Sequence, residues 1–125
     1  MAASLKILHA DDEDGWRELV GFWLRNAGYD VRPISAGKGV IALARDCRPD
    51  CFLLDHDLGD TTGHELCKAL RSTAEFQETP IIIMTAHADV LSAVVDDCPP
   101  DQFIVKSKQP EELLLILETL LAEKR

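Results

Sequence analysis

The segment Pro49-Asp50-Cys51-Phe52-Leu53-Leu54-Asp55-His56-Asp57 sets four consecutive apolar residues directly against an acid. Successive side chains of a strand point to opposite faces, so an unbroken apolar run predicts a strand covered by helices on both sides. Working outward, similar runs recur about every 25 residues: Leu5 to Ala10, Val31 to Ile34, Ile81 to Met84 and Phe103 to Val105. Each has the length of a strand.

The intervening segments have helical spacing. Trp16, Leu19, Val20, Trp23 and Leu24 share one stripe, and Gly28 directly after Ala27 suits a helix end. Val40, Ile41, Leu43 and Ala44 predict a second helix, Leu66, Cys67 and Leu70 a third, and Val90, Leu91, Val94 and Val95 a shorter fourth. The fifth is expected to start with Pro110 at its first helical position, with Glu111 and Glu112 where the helix dipole favours negative charge, and to run to the end of the chain. Strand and helix alternate five times with short connections, which predicts an α/β fold: a (βα)5 doubly wound parallel sheet with helices on both faces. Right-handed crossovers then bring every strand's carboxyl end to one edge, where ligands bind in open α/β sheets.

The 125 residues are expected to form a single domain, with no effector domain visible. A hydrophobic fraction of 46% with 28% charged residues excludes disorder. Thirteen Lys and Arg against twenty-two Asp and Glu give a net charge of −9, the wrong sign for neutralising phosphate backbones, so no direct nucleic-acid contact is expected. The longest apolar stretch, Leu113 to Leu117, falls far short of the roughly 20 residues that cross a bilayer, and the N-terminus lacks a signal-peptide pattern. A cytoplasmic protein without membrane insertion is expected. Cys47, Cys51, Cys67 and Cys98 form no C-x-x-C pair, which points to reduced thiols rather than zinc.

The chemistry is expected at the strand ends. Strand one ends in Asp11 and Asp12, strand three in Asp55 with Asp57 two residues on. Carboxylates converging in one crevice repel one another unless a cation joins them, and an all-oxygen set suits Mg²⁺. Glu13 and Asp14 read instead as solvated residues at a helix start. Thr85 at the end of strand four and Lys106 at the end of strand five could supply a donor and positive charge to a transferring phosphoryl group, with Asp55 as the in-line nucleophile.

Lys6-Ile-Leu-His-Ala-Asp11-Asp12-Glu13, Pro49 to Asp55 with Gly63 eight residues beyond, Ile81-Ile-Ile-Met-Thr85-Ala86 and Phe103-Ile-Val-Lys106 together resemble the receiver domain of two-component response regulators, across essentially the whole chain. The resemblance implies a flavodoxin-like sheet of order 2-1-3-4-5. It also implies a phospho-acceptor signalling domain rather than an enzyme, phosphorylated on Asp55 by a histidine kinase or histidine phosphotransfer protein. Mg²⁺ would be held by Asp12 and Asp55, by Asp11 largely through water, and by the backbone carbonyl of Asp57. Thr85 and Lys106 would contact the phosphoryl oxygens, and Thr85 and Phe103 would switch the face made by the fourth helix, fifth strand and fifth helix. Asp57 and His87 are candidates for modulating phosphoryl lifetime, while His56 and His87 read first as rim residues that could shape water access.

Three positions depart from the family pattern. Ser107 follows Lys106 where a proline after a cis bond is usual, and a cis bond before a non-proline costs about 2.5–4 kcal/mol, so a trans peptide is expected. Gly59 replaces a common proline, which predicts a looser loop after Asp55, and Phe103 has no hydroxyl to offer a partner. Two other readings compete. A haloacid-dehalogenase-like phosphatase shares the Asp55-His56-Asp57 pattern, but it needs a further acidic motif beyond the Lys, where this sequence has only one helix. A pseudo-receiver kept for protein interaction draws on the altered Lys106-Ser107 step. His9 is expected to be a hydrogen-bonded core histidine. Trp23 is expected in the core; Trp16 lies near the active edge, on a helix that receivers often use to dock the phosphodonor.

Overall fold

The computed structural model describes residues 4–87 and 98–122. Five strands, β1 (Lys6–Ala10), β2 (Asp30–Ile34), β3 (Cys51–Asp55), β4 (Ile81–Thr85) and β5 (Gln102–Val105), form one sheet of order β2-β1-β3-β4-β5. Every neighbouring pair is parallel. The helices are α1 (Asp14–Asn26), α2 (Val40–Cys47), α3 (Gly63–Arg71) and α4 (Glu111–Leu120), with a single 3-10 turn at Ala74–Phe76. The helix expected around Val90 to Val95 lies outside the described residues, so α4 is the fifth element of the predicted series.

Alternation along the strands divides the core in two. Leu8, Ala10, Phe52, Leu54, Ile81 and Ile83 pack with Val40 and Ala44 of α2 and Leu66 and Leu70 of α3. Ile7, Leu53, Ile82, Met84 and Ile104 pack on the other face with Val20 and Leu24 of α1 and Leu113 and Leu117 of α4. The apolar runs of β1, β3 and β4 therefore satisfy both faces, as doubly covered strands require.

Two helix details differ from expectation. Helix α4 begins at Glu111, and Pro110 precedes it as the cap, its carbonyl accepting the Leu114 N–H at 3.0 Å. In α1 the buried side is Val20, Gly21 and Leu24, so Leu19 falls at the exposed margin and Phe22 is 62% exposed. Trp16 and Trp23 are partly buried against the core, edge to face at 5.8 Å.

Strand β2 is an edge. Asp30 donates its N–H to the Leu5 carbonyl and Ile34 accepts from the Asp11 N–H, so the even-numbered residues face β1. Pro33 points its missing N–H outward, where no ladder bond is lost.

Candidate functional site

The buried polar side chains among the described residues are His9, Asp11, Asp55 and Thr85. All four lie at or next to the carboxyl ends of β1, β3 and β4, the edge that a doubly wound sheet reserves for ligands. Asp55 and Thr85 line a cleft of about 510 Å³ together with Asp12, Glu13, His56, Asp57, Ala86, His87 and Lys106.

Two passages of the chain, at the ends of β1 and β3, bring three acids together here. Asp11 is fixed by its Oδ1, which accepts the Glu13 N–H at 3.0 Å, and by its carbonyl, which accepts from Arg17 Nη1 at 2.8 Å. Asp55 ends β3, where the next N–H, that of His56, donates to the Met84 carbonyl at 2.7 Å. One carboxylate oxygen from each of Asp11, Asp12 and Asp55 lies within 4.8 Å of the others. Lys106 Nζ reaches between two of them, 3.1 Å from Asp11 Oδ2 and 3.3 Å from Asp55 Oδ2.

The electrostatics follow from this crowding. Burial, and then the Asp11 charge, push the Asp55 carboxyl up to about 6, and Lys106 opposes them only in part. One ammonium against three carboxylates leaves the cleft short of positive charge. The donor atoms are all oxygens, two of the three acids are buried, and Asp12 is open to the cleft, so the set fits a hard divalent cation such as Mg²⁺.

Thr85 closes the far side. Its Oγ1 accepts the His87 N–H at 3.1 Å, and its carbonyl accepts the Lys106 N–H at 2.7 Å, which ties the ends of β4 and β5 together. No cis peptide occurs among the described residues, so the Lys106–Ser107 bond is trans as expected. Phe103 is half-buried against the α2 and α3 side of the core.

Glycine has a positive role in the loop after Asp55. Gly59 adopts φ of 82°, in the left-handed region closed to proline, and its N–H donates to Asp57 Oδ1 at 2.9 Å. Leu58 donates to the Thr61 carbonyl at 3.0 Å and is itself buried. The loop that Gly59 was expected to loosen is thus hydrogen-bonded on both sides of it. Where α3 starts, a Cβ on Gly63 would meet the Asp55 carbonyl oxygen at 2.7 Å, so only glycine lets this helix come so close to the acid.

His9 corrects the sequence expectation. It is buried, but its Nδ1 has no hydrogen-bond partner and its Nε2 stops 3.9 Å from Asp11 Oδ2. Strand alternation sends it to the apolar α1 side, and burial pushes it down to about 4, so the ring is neutral at pH 7. Sequence reasoning also missed the use of Trp16, whose ring faces Lys106 Nζ at 5.4 Å. Its position in the first turn after the acidic pair was the available signal.

A parallel sheet of this order, with acids directly after its first strand and ending its third, a threonine ending its fourth and a lysine directly after its fifth, defines a class of signalling α/β domain. The family model of the response regulator receiver domain matches residues 7–118, and the chain belongs to that family. It is 31% identical over 110 residues to the DNA-binding response regulator MtrA of Mycolicibacterium smegmatis, covering 87% of this chain and 47% of the relative. It is 33% identical over 119 residues to the transcriptional regulatory protein SrrA of Staphylococcus aureus, covering 94% and 48%. The chain therefore spans about half the length of these curated relatives. MtrA is DNA-binding as a whole protein, in contrast to the expectation that this chain makes no nucleic-acid contact.

Among solved structures, the chemotaxis response regulator CheY4 of Vibrio cholerae superposes with a TM-score of 0.81 at 30% identity, covering 94% of this chain and 99% of that one. The response regulator TrrA of Thermotoga maritima, solved with Mg²⁺ and BeF, gives 0.85 at 26%, covering 94% and 99%. No helix among the described residues is long and apolar enough to cross a membrane.

Proposed function

We propose that this receiver domain accepts a phosphoryl group on Asp55 from a phosphohistidine of a sensor kinase or phosphotransfer protein, with Mg²⁺ as cofactor. The observation that carries the reading is the group of three carboxylates within 4.8 Å with Lys106 Nζ set between Asp11 and Asp55. Asp11, Asp12, Asp55 and the backbone carbonyl of Asp57 would hold the ion. When bound, it would neutralise the carboxylates and draw charge from the phosphoryl oxygens.

An Asp55 carboxylate oxygen then attacks phosphorus in line, the O–P bond forms as the N–P bond to the donor imidazole breaks, and the imidazole leaves with the bond's electron pair and takes up a proton. Lys106 and Thr85 donate to the phosphoryl oxygens. The added charge, about −1.5 to −2 at neutral pH, gives Thr85 Oγ1 a stronger acceptor than its present loop contacts and draws it inward, with Phe103 following. The β5 and α4 face then presents a different surface to a protein partner. Asp57, His56 and His87 at the cleft rim control water access to the acyl phosphate.

Incubation with Mg²⁺ and acetyl phosphate, followed by intact mass, tests this reading. One added phosphoryl group on wild type, none on Asp55→Asn and none in EDTA are expected. An unmodified wild type, or equal modification of Asp55→Asn, overturns it.

A further inference from the structure

Away from the cleft, Cys67 and Cys98 bring their sulfurs to 3.4 Å across a sequence separation of 31. Cys67 is fully buried on α3, and Cys98 is partly buried in the segment that leads into β5. The Cys67 thiol also points at the Cys98 carbonyl at 3.7 Å. This proximity is held by a second clamp one helical turn along: Arg71 Nη2 meets Asp101 Oδ2 at 2.8 Å, and the same oxygen accepts the Ile81 N–H at 2.7 Å. Residues 67 and 71 share one face of α3, so two contacts fix residues 98 and 101 against it. The other two thiols, Cys47 and Cys51, are buried.

We propose that Cys67 and Cys98 form a reversible dithiol–disulfide site, oxidised by a low-molecular-weight disulfide of the glutathione type. The Cys98 thiolate attacks one sulfur of that disulfide, forming a mixed disulfide and releasing one thiol. The Cys67 thiolate then attacks the Cys98 sulfur, closes the internal bond and releases the second thiol. Two electrons pass from the protein to the small disulfide, and the two protons lost by the protein cysteines end on the two released thiols.

The order follows from access. Cys98 meets solvent, whereas burial and the contact with Cys98 push the Cys67 thiol up to about 12, so it serves as the resolving partner. Its low thiolate fraction is offset by its fixed position beside the sulfur it must attack. The closed bond would enclose the 3-10 turn and all of β4 with Thr85, and would restrict the unfolded chain across that span. The inference does not depend on phosphoryl acceptance, so either can fail alone.

The test is a titration of the reduced full chain with glutathione disulfide, then acid quench, denaturing alkylation, intact mass and peptide mapping. The expected result is loss of two of the four free thiols, a Cys67–Cys98 cross-linked peptide, recovery with dithiothreitol, and a melting temperature raised by about 5 °C in the oxidised form. Cys98→Ser, a change at a partly exposed position, should keep all its remaining thiols. Four free thiols after titration, a persistent glutathione adduct on Cys98, or a link that includes Cys47 or Cys51 would overturn the proposal.

Discussion

At the amino-terminal edge of the sheet, Asp50 accepts the Lys6 N–H at 2.8 Å, and Asp101 accepts the Ile81 N–H at 2.7 Å while pairing with Arg71. At the carboxyl-terminal edge, Asp11, Asp12 and Asp55 face one another with one lysine between two of them. The same carboxylate group caps a strand at one end and crowds a cleft at the other. What differs is balance: at the first edge each negative charge receives a donor made for it, and at the second the charges exceed the donors. The first edge is built for stability, and the second holds an unfavourable arrangement that a cation and a phosphoryl group can relieve.

The sharpest way to break this contrast is Arg71→Ala. Arg71 donates to the carbonyls of Phe76, Gln77 and Thr79 as well as to Asp101, so its loss is expected to cost about 2–3 kcal/mol in urea unfolding. Phosphoryl uptake by the folded variant should be unchanged; a selective loss of uptake would mean that the two edges are not separate in role.

Lys106→Met comes next. Removing the one ammonium from Asp11 and Asp55 should cost about 2 kcal/mol at pH 8, and less at pH 5, where Asp55 carries a proton. Parallel melts at the two pH values check this, and an equal cost at both would rule out the electrostatic account.

Asp55→Asn should act with the opposite sign. The folded carboxyl titrates near 6 rather than the ordinary 3.8, so between those values the native state holds a proton that the unfolded chain has released. Stability of the wild type therefore falls as pH rises through that window. In chelator at pH 8 the neutral amide should gain about 1 kcal/mol, discounted for the open cleft, and the gain should vanish by pH 4. Saturating Mg²⁺ should narrow the difference. A destabilised Asp55→Asn at pH 8 would show that the acid is balanced after all.

The smallest effect is expected from Trp16→Leu, about 0.5–1 kcal/mol, as Lys106 loses the ring it faces. A chemical shift change at Lys106 Nζ would report that contact directly.

The strands were legible because their unbroken apolar runs have one physical explanation, and with the strands came the edge on which Asp11, Asp12, Asp55, Thr85 and Lys106 meet. Rotation within helices was less so. Leu113 to Leu117 reads as uniformly apolar, yet a helix turns by 100° per residue, and Leu115 is left 65% exposed while Leu113 and Leu117 are buried. Contacts made by the folded chain at long sequence separation had no local sign: the Cys67 and Cys98 sulfurs, the carbonyls gathered by Arg71, and Asp60, whose carboxylate accepts the Gly37 and Lys38 N–H groups and is held below its usual range by them. The lone orientation of His9 belongs here too, since a sequence gives the face of a strand residue but not whether that face holds an acceptor.

Pro33 bears on how this molecule behaves among many copies of itself. A sheet margin normally exposes a row of donors and acceptors on which another polypeptide can assemble, and the outward position of Pro33 deletes one donor from β2. With Asp30 and Arg32 paired on the same five-residue strand, that margin makes a poor template for a growing aggregate, which favours a monodisperse solution at high concentration.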